Sequence, residues 1–189
     1  NPSLADSDTD GLPDGLEKGL AAPESSAKDP DATDLAIFQA DADSTTTTLG
    51  VDSDSDDDGL KDGTEDTNGN GKVDPGESNP NLFDTDGDGM DDKWEWTYST
   101  NEACGNAALG PLDPLDGGDK NLDNDKDGLT NFKEYQNTWW VGNQEIKNDT
   151  NPCDKDSDDD GLQDYIEVHG KYNQANPFSK GTNPNDPDT

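Results

Sequence analysis

The sequence predicts a mostly irregular chain with short α-helices, little β structure and no large hydrophobic core, drawn out as an elongated tandem array. Three observations predict it. Only 25% of the 189 residues are hydrophobic, 46 acids face 12 bases for a net charge of -34, and one twelve-residue pattern recurs six times. Low hydrophobicity with high net charge leaves too little buried apolar surface to offset chain entropy. Whatever orders this chain therefore has to neutralise carboxylates.

The clearest copy of the pattern runs from Asp84 to Glu95. Carboxylates stand at positions 1, 3, 5, 9 and 12 (Asp84, Asp86, Asp88, Asp92 and Glu95), with Gly89 at position 6 and Met90 at position 7. Ca²⁺ is a hard cation that takes six to eight oxygens. A twelve-residue loop supplies them from side chains at 1, 3 and 5, the carbonyl at 7, a group at 9 that often acts through water, and a bidentate Glu at 12. Every slot is filled here. Glycine at position 6 allows the chain to turn sharply around the ion, in conformations that a Cβ penalises.

Five other stretches fit the same template. The first loop has Asp6, Asp8, Asp10, Gly11, Leu12, Asp14 and Glu17, and the second has Asp54, Asp56, Asp58, Gly59, Leu60, Asp62 and Glu65. The third has Asp66, Asn68, Asn70, Gly71, Lys72, Asp74 and Glu77. Amides replace carboxylates at its positions 3 and 5, so it is expected to bind most weakly. The fifth has Asp123, Asp125, Asp127, Gly128, Leu129, Asn131 and Glu134, with an amide at position 9, and the sixth has Asp156, Asp158, Asp160, Gly161, Leu162, Asp164 and Glu167. About six Ca²⁺ are expected, with no other cofactor. Metal coordination then takes the ordering role of a core.

The linkers repeat as well. Pro2, Pro80, Pro152 and Pro184 each stand four residues before a loop start, counting Asp188 as the opening of a further copy. The chain begins at Asn1, and Met90 is its one methionine. These features, with the absence of a signal peptide, predict a piece of a longer array. Three segments are expected: 1–53 with the first loop and a linker, 54–98 with three closely spaced loops, and 99–189 with an insertion and the last two loops.

Between residues 18 and 53 no template is found. The apolar cluster Leu35 to Phe38 and the β-prone run Ser44 to Thr48 predict a short strand or hairpin. Asp41 and Asp43 are read as solvated linker residues, with a reach toward a neighbouring ion as the alternative. Glu65 is followed at once by Asp66, so no helix separates the second and third loops. After the fourth, fifth and sixth loops there is room for a short exit helix. Met90, Trp94 and Tyr98, then Leu129, Phe132 and Tyr135, then Leu162, Tyr165, Ile166 and His169 recur at helical spacing, each predicting a small satellite core. The stretch from Thr97 to Leu122 carries Gly110-Pro111, Asp113-Pro114 and Gly117-Gly118, a turn signature. Trp139-Trp140 is read as packing against a neighbouring repeat, with a sugar-stacking platform as the alternative.

Cys104 and Cys153 are an even pair without a CxxC or zinc pattern, and they predict one disulfide in an oxidising compartment. The acidic charge argues against nucleic acid or an anionic membrane as partner. No catalytic residue is expected. The single His169 has no nucleophile pattern near it, and the acidic pairs are absorbed by the loops.

With D-x-D-x-D-G-L-x-D-x-x-E loops and the linkers Thr150-Asn-Pro-Cys-Asp-Lys-Asp156 and Thr182-Asn-Pro-Asn-Asp-Pro-Asp188, the chain resembles the thrombospondin type 3 repeat family in its microbial form. It departs from a standard EF-hand. Proline-containing linkers stand where an entering helix belongs, and the apolar residue usually sits at position 7 (Leu12, Leu60, Met90, Leu129, Leu162), with only Val73 at position 8. The resemblance covers all six loops and most linkers. It implies a secreted or cell-surface, calcium-stiffened stalk, connector or adhesion segment whose partners are calcium and neighbouring domains of a parent protein, with self-association or a surface-protein contact left open. Two alternatives stand beside it: a dockerin-like protein-binding module, suggested by Asp66 to Asp74, and a non-catalytic appendage of a secreted hydrolase.

Overall fold

The computed structural model describes residues 6–22, 38–99, 112–136, 138–141, 144–147, 149–169 and 182–187. The chain is mostly irregular with short helices. It divides into two compact units, one of Asn1–Thr85 with Asp91–Lys93 and one of Asp86–Met90 with Trp94–Thr189.

Five helices are described, α1 Asp14–Glu17, α2 Asp62–Glu65, α3 Asp92–Ser99, α4 Asn131–Tyr135 and α5 Asp164–His169. Each begins at position 9 of a loop. The residue before it is extended at Pro13, Lys61 and Thr130, with ψ of 139°, 143° and 156°. Its carbonyl then accepts the N–H of position 12, as Pro13 does from Glu17 (3.3 Å), Lys61 from Glu65 (3.2 Å), Thr130 from Glu134 (3.0 Å) and Gln163 from Glu167 (3.1 Å). One helical turn thus sets positions 9 and 12 on the same face. The third loop makes no helix. Gly76, at φ +102°, turns the chain out of the right-handed region at the point where the first turn has to close.

All six loops share one backbone path. Position 6 is glycine at positive φ throughout (Gly11, Gly59, Gly71, Gly89, Gly128 and Gly161), and position 4 is also left-handed in every copy. Two of those residues are glycines, Gly69 and Gly87, whereas Thr9 (68°), Asp57 (62°), Lys126 (68°) and Asp159 (63°) carry a Cβ there. That strain, of order 1–2 kcal/mol per residue, is accepted four times to keep the same path.

Apolar residues at position 7 point inward, with Leu12, Leu60, Met90 and Leu129 buried. In the first unit Leu16 is also fully buried, a gain of about 1.5–3 kcal/mol for such a side chain. In the second unit Met90, Trp94, Leu112 and Tyr135 form one cluster, with Tyr98 and Phe132 packed against it. Trp94 meets Tyr98 and Tyr135 edge to face, at 5.2 and 5.3 Å between centroids. Two of the expected satellite cores are therefore a single core, and the turn-rich insertion contributes Leu112 to it. The third is a surface pair, with Tyr165 stacked on His169 at 4.3 Å.

Strand structure falls elsewhere than expected. Residues 43–46 form a turn, in which the Asp43 carbonyl accepts the Thr46 N–H and its carboxylate accepts the Thr45 hydroxyl, and residues 47–48 form no strand. Leu35 to Ile37 lie outside the described residues. The hairpin is β1 Thr138–Val141 with β2 Gln144–Lys147, antiparallel, with Trp139 opposite Ile146. A 3-10 turn, Asp119–Asn121, lies in the insertion. Among the described residues no helix is long and apolar enough to cross a membrane.

Candidate metal centres

Within a loop the backbone holds the outer carboxylate oxygens and leaves the inner ones to converge. The N–H of position 7 donates to the position 5 side chain in all six copies: Leu12 to Asp10, Leu60 to Asp58, Lys72 to Asn70, Met90 to Asp88, Leu129 to Asp127 and Leu162 to Asp160, at 2.5–2.9 Å. The glycine N–H of position 6 donates to position 1 at Asp6, Asp54, Asp66 and Asp156. Asp6, Asp8 and Asp10 bring carboxylate oxygens within 4.8 Å of one another. So do Asp54, Asp56 and Asp58, and, within one continuous turn, Asp84, Asp86 and Asp88. Buried oxygens of Asp8, Asp54, Asp56, Asp125 and Asp158 have no hydrogen-bond partner. Buried acceptors left without donors are costly unless a cation or proton meets them.

Position 12 faces two ways. Glu17 groups with Asp10 of its own loop and Asp62 of the second loop, and Glu65 groups with Asp58 and with Asp92, at position 9 of the fourth loop. All six of these side chains are buried. The fifth and sixth loops repeat the relationship, since the Tyr165 N–H donates to Asp127 Oδ2 at 2.7 Å and Asp164 is among the charges acting on Glu134. Position 9 is thus a joint between loops. Its own orientation comes from position 2, whose N–H and hydroxyl both donate to it, Ser7 to Asp14, Ser55 to Asp62, Thr85 to Asp92 and Ser157 to Asp164.

A linker hydroxyl holds one oxygen of each of four position-12 glutamates. Thr48 donates to Glu17 (3.5 Å), Ser78 to Glu65 (3.1 Å), Thr150 to Glu134 (3.4 Å) and Thr182 to Glu167 (2.8 Å), always to Oε1. The Oε2 of all four is buried without a partner. These hydroxyls were not among the expected site residues. Each stands six residues before Asp54, Asp84, Asp156 or Asp188, a periodicity present in the sequence.

The electrostatics follow from that crowding. Burial, then the charges of Asp8, Asp10, Asp14 and Asp62, pushes Glu17 up to about 8. Burial with Asp56 and Asp58 pushes Glu65 to about 9, burial with Asp125, Asp127 and Asp164 pushes Glu134 to about 10, and burial with Asp158 and Asp160 brings Glu167 to about 7.

The third loop is arranged differently. Asn68 donates to Glu77 (2.8 Å) and Asp74 (3.1 Å), Asn70 donates to Asp74 (2.8 Å), and Lys72 pairs with Asp74. Lys72, Asn70 and Asn68 hold Asp74 down at about 2. Protein donors therefore satisfy the acceptors that a metal would use. Asp41, expected to be solvated, is buried, with Oδ2 unpartnered and its carboxylate carbon 2.8 Å from the position a Cβ would take on Gly71.

In the fifth loop Asn131 at position 9 is fully buried and donates through Nδ2 to the carbonyl of Asp119, 2.9 Å away. Asp119 is itself 4% exposed, and burial followed by the charges of Asp88 and Asp86 brings it to about 7. In the sixth loop Asp156, Asp158 and Asp160 share hydrogen bonds through the Asp160 N–H, and Leu162 at position 7 is half-buried. No protein-family model, curated protein or solved structure matches the chain.

Proposed function

We propose that this chain is a calcium-binding structural array, an extracellular stalk, connector or adhesion segment of a larger secreted or cell-surface protein, with about six loop-bound Ca²⁺ and no catalytic residue of its own. The observation that carries the proposal is the pair of buried carboxylate triplets, Asp10 with Glu17 and Asp62, and Asp58 with Glu65 and Asp92. Three carboxylates within 4.8 Å of one another and out of water repel strongly, and charges buried this way are paired or coordinate a metal. The donors are all oxygens, the set a hard cation takes, which favours Ca²⁺ over zinc. The residues Asp10, Glu17 and Asp62 would hold the ion between the first and second loops. The ion supplies the positive charge that lets them approach. Coordination then does two things, closing each loop and fastening it to the next.

Excess negative charge suits a solvated spacer rather than a binder of nucleic acid. A disulfide between Cys104 and Cys153 belongs to the same proposal. Among the described residues no cysteine is free, and Cys104 lies outside them. Small-angle scattering with calcium and then with excess chelator tests the function directly. Chelation is expected to increase the radius of gyration, and an unchanged radius would show that calcium does not set the shape.

A further inference from the structure

We infer that Asp119, in the non-repetitive segment between the fourth and fifth loops, is a calcium ligand that completes a position beside Asp86 and Asp88. The inference rests on the calcium proposal and extends it to a residue outside every twelve-residue template. In the first, second and fifth loops, position 5 meets the position 9 carboxylate of a later loop, namely Asp62, Asp92 and Asp164. The loop that follows the fourth has an amide, Asn131, at position 9 in place of a carboxylate. An amide has no charge to give.

The Asp119 segment lies beside the fourth loop's ligands. Two residues before Asp119, the position a Cβ would take on Gly117 lies 3.2 Å from Asp88 Cβ and 3.5 Å from Asp86 Oδ1. One residue after it, Lys120 Nζ donates to the Asp88 carbonyl at 3.1 Å. Asp119 Oδ2 accepts the Asp113 N–H at 2.8 Å, and its backbone carbonyl accepts from Asn131 Nδ2 at 2.9 Å, so side chain and main chain are each held by one bond. Its other oxygen, Oδ1, is buried and has no hydrogen-bond partner. A carboxylate fixed at one oxygen and bare at the other, next to two loop ligands, is built to meet a cation. By the register of the first two loops, Glu95 is the fourth group. Asn131 thus changes role, from a charged joint to the clamp that positions a substitute.

The test is native mass spectrometry of the calcium-loaded full chain. Asp119→Asn keeps the acceptor for the Asp113 N–H and is expected to bind one Ca²⁺ fewer than the unmodified protein. Asp116→Asn, the same charge change at an exposed neighbour, is expected to bind the full number. An unchanged count in Asp119→Asn overturns the inference. A chain that binds no calcium at all overturns the underlying function instead. Should Asp119→Asn fail to fold, a calcium anomalous map of the unmodified protein decides the matter. An ion about 2.3–2.6 Å from Asp119 Oδ1 is the expected result, and none within coordination distance there is the contrary one.

Discussion

The backbone N–H of Tyr165, at position 10 of the sixth loop, donates to Oδ2 of Asp127, at position 5 of the fifth, and Gly63 makes the same bond to Asp10 at 3.2 Å. The same bond is therefore found in both compact units. It is a hydrogen bond to a charged acceptor, worth about 1.5–3 kcal/mol where formed, and it holds the carboxylate against the next loop's first helical turn.

Asp62→Asn is expected to uncouple the first two loops while leaving each loop's own ligands at positions 1, 3 and 5 in place. Calorimetry should then show a lost or weakened binding phase and reduced cooperativity. A titration superimposable on that of the unmodified chain would contradict the joint.

Thr150→Val keeps the shape of a fully buried residue and removes the donor to Glu134 Oε1. Leaving a buried acceptor without its partner costs about 1–3 kcal/mol. Urea unfolding in calcium should report that loss, and Thr150→Ser should largely restore stability. Equal midpoints for Thr150→Val and the unmodified protein would assign the hydroxyl no role.

The raised glutamates fix the sign of the pH dependence. Glu17, Glu65 and Glu134 titrate near 8, 9 and 10 in the fold, against about 4.3 in an unfolded chain. Between these values the calcium-free fold binds more protons than the unfolded chain, so its stability falls as pH rises through that window. Calcium has to displace those protons, and its affinity rises with pH. Calorimetry at pH 7 in buffers of different ionisation enthalpy is expected to give different apparent heats, and identical heats would mean that no proton leaves.

The third loop is expected to empty first on stepwise chelation. Its amides and Lys72 already satisfy Asp74 and Glu77, and it has fewer carboxylates than the fourth loop, even with Asp41 nearby. Affinity in such loops follows ligand charge. Titration of Asp66→Ala and Asp84→Ala separates the cases. Loss of the tightest phase in the Asp66 variant alone would reverse the ranking.

A Cys104 to Cys153 bridge would close a loop of about fifty residues around the fifth calcium site, with a chain-entropy contribution of about 4 kcal/mol. Intact mass after alkylation, with and without prior reduction, should show both thiols labelled only after reduction. Labelling of both without reduction excludes the bridge.

Loop position and loop path were determined by the sequence alone, because both are local. The spacing of Asp84, Asp86, Asp88, Gly89 and Glu95 is a statement about twelve consecutive residues, and glycine at position 6 carries its positive φ wherever the loop sits. Position 7 burial, and the amides Asn68 and Asn70 on which the expected weakness of the third loop rests, belong to the same short range. The joints were decided only by tertiary structure. Nothing in the spacing of Glu17 and Asp62 says that they meet, or that Glu65 passes over the third loop to reach Asp92. Those pairings depend on which helical turn packs against which loop. Asp119 and Asp41 illustrate the reason: in a sequence this acidic, a carboxylate in a linker is ordinarily solvated, and only the tertiary structure shows that these two are buried.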